Sequence, residues 1–315
     1  MRVLVTGANG FVGSALCRHL TQSGHSVIGA VRDRDSNAGP SRQVIGDIGA
    51  NPPWHELLPG VEVVIHLAAL VHQMGKATPG LDAYRQVNVT GTTRLAEACV
   101  RHGVGRMVFL SSIKVNGECT PAKSFSEEDT PAPLDAYGVS KLEAEQVLAE
   151  MAKKGDLENV VIRPPLVYGP GVRANFRRLM SIVRKMNPLI VPGLSSKRSM
   201  IGLGNLVDVI SACAVHPGAA NQLFLVSDNE DVTVSDLMQR MAREMNRKAL
   251  VVPVSNGFLG FAARMLGREQ EIRRIIDPLT VSADKVMTRL GWVPPFDMNA
   301  GLAETVRSFL LSEPA

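Results

Sequence analysis

Val3-Leu4-Val5-Thr6-Gly7-Ala8-Asn9-Gly10-Phe11-Val12-Gly13 decides the fold. The apolar run Val3–Thr6 has the length and the β-branched content of a short buried strand. Glycines follow at GxxGxxG spacing. From Phe11 to Ser23 the apolar residues Val12, Ala15, Leu16 and Leu20 recur at helical intervals, and Gly24 stands where a helix C-cap belongs. A strand, a glycine turn and a helix in this order form a device for holding a pyrophosphate. The chain must turn sharply, its backbone must approach the phosphates, and the helix must pack closely on the sheet. Free N–H groups at the helix start then face the anion. Gly7, Asn9, Gly10, Phe11, Val12 and Gly13 are the candidate cradle for a dinucleotide.

Outward from this turn, strand and helix patterns alternate. Val27–Val31, Val61–Leu67, Arg106–Leu110 and Val160–Arg163 read as strands, and Val89–His102 and Tyr137–Lys153 as helices. Such alternation implies right-handed βαβ units and a parallel sheet covered on both faces. The expectation is an α/β protein: a doubly wound parallel sheet over residues 1–165, and a smaller ligand-binding lobe over 166–315 with segments returning to the sheet. In the second half a basic helix (Asn175–Met186), a strand pattern (Leu223–Val226) and helices at Val234–Met245 and Ser282–Leu290 are legible.

Composition agrees. The 315 residues are 45% hydrophobic and 20% charged, ordinary for a folded enzyme-sized chain. A net charge of +4 is too small to argue for nucleic acid or membrane partners, and the basic helix with Arg177, Arg178, Arg184 and Lys185 lacks a stacking platform beyond Phe176. The four cysteines, Cys17, Cys99, Cys119 and Cys213, have no metal-ligand spacing and read as reduced thiols. No export signal or membrane span is read, so a cytoplasmic location is expected.

The second strand ends Ala30-Val31-Arg32-Asp33. An acidic residue at such a strand end holds the ribose of NAD, whereas a cation pairs with the 2′-phosphate of NADP. Arg32 points to NADP, with NAD through Asp33 as the alternative. Asp47-Ile48 is placed to face the adenine. Tyr137-Gly138-Val139-Ser140-Lys141 is a YxxxK motif, which puts phenol and ammonium on one helix face. A nearby cation favours the phenolate and makes the tyrosine a usable acid/base. Upstream, the strand ending Leu110-Ser111-Ser112 offers a hydroxyl to orient a substrate oxygen.

TGxxGxxG, His66-Leu67-Ala68-Ala69, Asn88-Val89-Thr90-Gly91-Thr92, the Ser-Ser strand end, YxxxK, Arg163-Pro164-Pro165, Val167-Tyr168-Gly169-Pro170 and Leu290-Gly291-Trp292 follow one another along the chain. The set resembles the extended short-chain dehydrogenases with a Rossmann-type domain, in particular the UDP-glucose 4-epimerase and sugar-nucleotide reductase group. That resemblance implies Ser112, Tyr137 and Lys141 as catalytic residues. It implies Leu67, Ala68, Ala69, Asn88 and Pro164 beside the cofactor, with Asn88 supporting the active-site helix. It implies Asn175, Arg198 and Arg274 as contacts to the nucleotide phosphates of a UDP-sugar, and a homodimer built on the two apolar-striped helices.

Two departures bear on the reaction. Dehydratases of this group resemble one another in carrying Asp-Glu after the catalytic hydroxyl; here Ile113-Lys114 follows, so water elimination is not expected. Lys114 is expected to face the sugar. Leu166 stands where the group carries a pyrophosphate-binding Asn. The phrases SSIKVNGE and RPPLVYGPGVRANF resemble reductases that make N-acetyl-quinovosamine-type sugars for surface polysaccharides. The leading expectation is therefore 4-keto reduction of a UDP-2-acetamido-2,6-dideoxyhexos-4-ulose. A UDP-hexose 4-epimerase is the alternative, and a non-catalytic NAD(P)-sensing protein is the alternative of another class.

Overall fold

The computed structural model describes residues 1–33, 42–71, 79–120, 122–186, 188–193, 195–253 and 277–312. The first layer contains, in chain order, β1 (Arg2–Thr6), α1 (Phe11–Gln22), β2 (Ser26–Val31), β3 (Arg42–Val44), α2 (Trp54–Leu57), β4 (Val63–His66), α3 (Leu81–Tyr84), α4 (Gly91–Arg101), β5 (Arg106–Leu110), α5 (Ala136–Lys153) and β6 (Glu158–Arg163). After β6 the chain continues with β7 (Leu166–Tyr168), α6 (Ala174–Lys185), β8 (Leu189–Gly193), β9 (Lys197–Gly202), α7 (Leu203–Val215), β10 (Gln222–Leu225), β11 (Asp231–Thr233), α8 (Val234–Glu244), β12 (Ala249–Pro253), α9 (Asp284–Leu290) and α10 (Met298–Ser312), of which α7, β10 and α9 pack with the main sheet.

Seven strands form one sheet in the order β10-β6-β5-β4-β1-β2-β3, every neighbouring pair parallel. Side chains alternate across a strand, and β1 divides accordingly. Val3 and Val5 enter one core with Leu16 of α1 and Leu206 and Ile210 of α7. Leu4 enters the other, with Leu95 and Cys99 of α4 and Ala144 and Leu148 of α5. The apolar stripes of α4 and α5 are thus used within the chain. Burial on both faces explains why these strands read as continuous apolar runs.

Strand order reverses between β1 and β4, since β2 lies on one side of β1 and β4 on the other. Open α/β sheets bind ligands at such a switch point, beyond the carboxyl ends of the strands. The glycine turn after β1 and the segment after β4 therefore wall the same crevice.

The lobe has its own core, in which Phe176, Met180, Met200, Leu237, Met241, Leu302 and Phe309 join α6, α8 and α10. Its small sheet is β11-β9-β7, and β8 pairs with β12. β10 returns to the main sheet beside β6. The Tyr168 hydroxyl donates to Asp228 at 2.6 Å, and Asp228 also accepts from the Gly202 amide and Asn205, pinning the lobe where α7 begins.

The structure departs from the sequence expectation in places. α4 starts at Gly91 and is preceded by a π-helical stretch, Arg85–Thr90, so Asn88 sits in a widened turn. The basic helix starts at Ala174, which puts Asn175 inside its first turn. Helices α7 and α10 and strands β3, β7, β8, β9, β11 and β12 lie where no regular pattern was read. Among the described residues no helix is long and apolar enough to cross a membrane.

Candidate active site

The cradle is built from close approaches. Gly7 has φ +68°, open to glycine at low cost, and a Cβ there would sit 2.9 Å from the Ala68 amide nitrogen. A Cβ on Gly13 would overlap the Gly7 carbonyl. Gly10 N donates back to Gly7 O at 2.9 Å, and Gly10 precedes α1 with no side chain capping the helix start. Asn9 and Gly10 are exposed, and Phe11 and Val12 are half-buried beside them. A turn with no side-chain bulk, no acidic residue in the first helical turn and unfilled N–H donors fits a pyrophosphate.

Behind the cradle, Thr6 and His66 bind β1 to β4. Thr6 Oγ1 accepts from the amides of Leu67 and Ala68, both at 3.2 Å, and lies 2.6 Å from His66 Nδ1. His66 Nε2 lies 3.0 Å from Thr92 Oγ1, which donates to the Asn88 carbonyl. Thr92 has spent its proton, so Nε2–H must be the donor and Nδ1 the acceptor from Thr6. Burial, together with the Lys141 charge, pushes the His66 pKa down to about 3, which matches this neutral tautomer. The segment from Leu67 to Ala69 is thereby fixed against the glycine turn.

Arg32 and Asp33 pair at 2.9 Å and are largely exposed. Asp47 is exposed, and its Oδ1 accepts from Gly49 N at 2.7 Å. The Ile48 side chain is buried in the core with Trp54 and Leu95, so its role is packing. Pro164 is buried at the end of β6, and its carbonyl accepts from Ile113 N at 3.0 Å.

The catalytic candidates come together at the carboxyl ends of β5 and β6. Asp135 caps α5, accepting from Gly138 N at 2.7 Å. Asn88 bonds both the amide and the carbonyl of Leu70, at 2.7 and 3.0 Å, and donates to Ser140 Oγ at 2.9 Å. Ser140 in turn donates to the Tyr137 carbonyl. The first turn of α5 is therefore held from the side. Tyr137 lies near Ser112, which follows the end of β5 and whose hydroxyl acts to hold the phenol's pKa down. Its ring meets Tyr84 edge-on at 6.4 Å.

Burial pushes the Tyr137 phenol up to about 12, with the Asp135 charge acting the same way and the Ser112 hydroxyl opposing. Lys141 is only 2% exposed, and its Nζ lies 4.0 Å from the centre of the Phe109 ring. Burial pushes Lys141 down to about 7, while Glu145 acts to raise it. The YxxxK spacing thus brings the pair onto one helix face in apolar surroundings. The phenol holds its proton at neutral pH, and the amine is poised between charged and neutral.

The substrate candidates lie around the lobe side. Lys114 Nζ pairs with Glu118 Oε1 at 3.2 Å and with Asp135 Oδ2, so its charge is matched inside the protein. Arg198 Nη1 donates to the Asp277 carbonyl at 2.6 Å. Burial lowers the Arg198 pKa, and the charges of Asp277 and Glu118 oppose that effect. Asn175 is exposed at the start of α6. Leu166 is 47% exposed, an apolar side chain on β7 directly after Pro164 and Pro165. Arg274 lies outside the described residues.

Sequence reasoning missed a buried polar cluster. Glu145 accepts from Ser111 Oγ and from Arg163 Nε and Nη2, and Arg163 Nη1 donates to Asn116 Oδ1 at 2.8 Å. The available signal was Glu145 one helical turn beyond Lys141, with Arg163 at a strand end.

Comparison with known proteins places this geometry. Residues 3–226 match the model of the NAD dependent epimerase/dehydratase family. The chain is 40% identical to a UDP-glucose 4-epimerase of Vibrio cholerae over 312 residues, covering 98% of this chain and 95% of the relative. It is 31% identical to a 2-alkyl-3-oxoalkanoate reductase of Stenotrophomonas maltophilia (strain K279a), covering 76% and 74%. A structure of MoeE5 in complex with UDP-glucuronic acid and NAD superposes with a TM-score of 0.75 at 27% identity, covering 99% of this chain and 100% of the other. The chain belongs to the NAD dependent epimerase/dehydratase family, among the extended short-chain dehydrogenases.

Proposed function

We propose that the protein interconverts UDP-hexoses that differ at C4, by reversible oxidation of the C4 alcohol. The reading rests on near full-length 40% identity to the Vibrio cholerae UDP-glucose 4-epimerase, combined with a buried Tyr137 phenol near Ser112 with Lys141 one helical turn on. Bound NAD would supply the hydride acceptor and donor for C4. The glycine cradle and the α1 N-terminus would hold its pyrophosphate, and Lys141 its ribose. NAD is preferred here to NADP because Arg32 is already paired with Asp33.

The chain's own part is proton handling. Ser112 orients the C4 oxygen. Tyr137, once its resting proton has passed to solvent, would take the hydroxyl proton as C4 is oxidised and give it back to the ketone oxygen. A charged Lys141 stabilises the phenolate through its field. Arg198 would contact the nucleotide phosphates, while Lys114, held by Glu118 and Asp135, would offer a hydrogen-bond donor to the sugar. Ile113-Lys114 supplies no carboxylate for water elimination. A homodimer of two 33.9 kDa chains is part of the reading and is checked by light scattering.

Net reduction of a 4-keto sugar is the second reading. It is favoured by the 31% identity to an oxoalkanoate reductase and by the apolar Leu166 beside the Pro-Pro turn. The two readings separate by cofactor consumption. Under the epimerase reading UDP-glucose or UDP-N-acetylglucosamine is converted to its C4 epimer with no net change in nicotinamide absorbance, and Tyr137→Phe abolishes conversion. Stoichiometric loss of NADH or NADPH with a UDP-4-keto-6-deoxy sugar, and no epimerisation, would overturn it in favour of reduction. Equal turnover by Tyr137→Phe would sink both.

A further inference from the structure

We propose that Glu145 is a positioning residue for catalysis: its carboxylate, locked to the ends of β5 and β6 by Ser111 and Arg163, is the counter-charge that keeps Lys141 an ammonium. The inference rests on the reading of Tyr137 and Lys141 as the catalytic pair.

The groups around Lys141 leave few alternatives. From β4, His66 has both ring nitrogens committed to Thr6 and Thr92. From β5, Phe109 offers only its π face, with the ammonium 4.0 Å from the ring centre. Tyr137, on the same helix, keeps its proton and carries no charge at neutral pH, burial having pushed the phenol up to about 12. Glu145, the next turn of the helix, carries the formal negative charge that acts on Lys141.

That carboxylate cannot swing away. It is 8% exposed, and Oε1 accepts from Ser111 Oγ and from Arg163 Nε at 3.0 Å, while Oε2 accepts from Arg163 Nη2. Arg163, on β6, is the other cation of the cluster and is itself anchored to Asn116. Glu145 is ion-paired with Arg163, and Lys141, four residues earlier on the same helix face, feels the carboxylate through its field and not through an ion pair. That field acts against the burial that pushes Lys141 down to about 7. A Lys141 held as the ammonium favours the phenolate form of Tyr137.

The test titrates Lys141 itself. Protein carrying lysine 13C-labelled at the ε carbon is followed by NMR across pH, with and without NAD, and Lys141→Arg assigns the resonance. In Glu145→Gln the Lys141 midpoint should fall by about one pH unit or more, the size expected for losing an opposite charge nearby. In Ser111→Ala, which keeps the charge and removes one bond, it should stay within a few tenths. Activity of Glu145→Gln should be lost more at pH 8 than at pH 6, because the fraction of charged Lys141 falls by a larger factor at pH 8. An unmoved midpoint in Glu145→Gln, or an equal fall in Ser111→Ala, overturns the proposal. If Glu145→Gln does not fold, Glu145→Asp carries the same test through a smaller downward movement, and no movement overturns it. The midpoint needs no substrate, so failure of every UDP-sugar to react would strike the functional reading and leave the Lys141 result readable.

Discussion

Asn88 donates to Ser140 Oγ at 2.9 Å, and this bond ties the π-helical turn before α4 to the helix that carries Tyr137. The widened turn makes the contact, because Asn88 is buried on the side facing α5 while its amide also clasps Leu70. One side chain thus fixes the wall of the crevice after β4 and the register of the acid/base tyrosine.

Asn88→Ala should accordingly cost both stability and turnover. Three bonds vanish, and buried partners at Leu70 and Ser140 are left unpaired, worth about 2–3 kcal/mol in sum. Urea unfolding measures the first effect. The second should appear as a fall in kcat larger than any rise in KM, because Tyr137 is displaced relative to Ser112. A variant as stable and as active as the parent would remove Asn88 from the positioning of α5.

Gly13→Ala tests the cradle. The added methyl would overlap the Gly7 carbonyl, so either α1 moves off the sheet or the turn opens. Overpacking of this kind costs about 1–3 kcal/mol. NAD affinity, read by calorimetry, should drop by roughly 10- to 100-fold, the same energy expressed in binding. A methyl accommodated with unchanged NAD affinity would show that the close approach is not what the dinucleotide needs.

Lys141 pits function against stability. Its folded pKa, about 7, lies below the 10.5 of an ordinary lysine, so the folded state resists protonation that the unfolded chain accepts. Below pH 7 that penalty is present in full, and it fades as pH rises towards 10.5, where both states are neutral. Lys141→Met should therefore melt higher than the parent at neutral pH, by about 1–2 kcal/mol after allowance for the lost attraction to Glu145, with the gap closing at alkaline pH. Activity should fall at least roughly 100-fold. A variant that melts lower at every pH would show that Lys141 is a net stabiliser.

What the sequence disclosed and what it hid follow from the range of each signal. The β1–turn–α1 unit is local: strand, glycines and amphipathic helix adjoin, so Val3 to Gly24 can be read directly. YxxxK is local too, since four residues make one helical turn. α7 was hidden because Leu206, Val207, Val209, Ile210, Cys213 and Ala214 are all buried, which erases the polar face that reveals a helix. The Glu145–Arg163 pair was hidden for another reason. Nothing in the local sequence marks Glu145, and only the sheet order, with β5 beside β6, brings Ser111 and Arg163 onto its carboxylate. The position of Lys114 just after Ser112 predicts that it faces the sugar; the carboxylates of Glu118 and Asp135 that match its charge come from separate turns.

His66 gives a pH dependence with a definite sign. Its folded pKa is pushed down to about 3 from an ordinary 6.5, so between these values the unfolded chain binds a proton that the folded chain refuses. Stability then rises with pH through this window and is lost as pH falls below about 6.5, at about 1.4 kcal/mol per pH unit. From pH 6.5 to 5, above the range of most carboxylates, the parent should lose about 2 kcal/mol by urea unfolding. His66→Gln breaks the Thr6–Thr92 bridge and should start lower at pH 7, yet its stability should be flatter across the same interval. The slope isolates the cause, because a merely weakened fold shifts the whole curve and leaves its steepness unchanged. Parallel curves for parent and variant would mean that His66 is not held neutral, and the tautomer derived from Thr92 would fall with it.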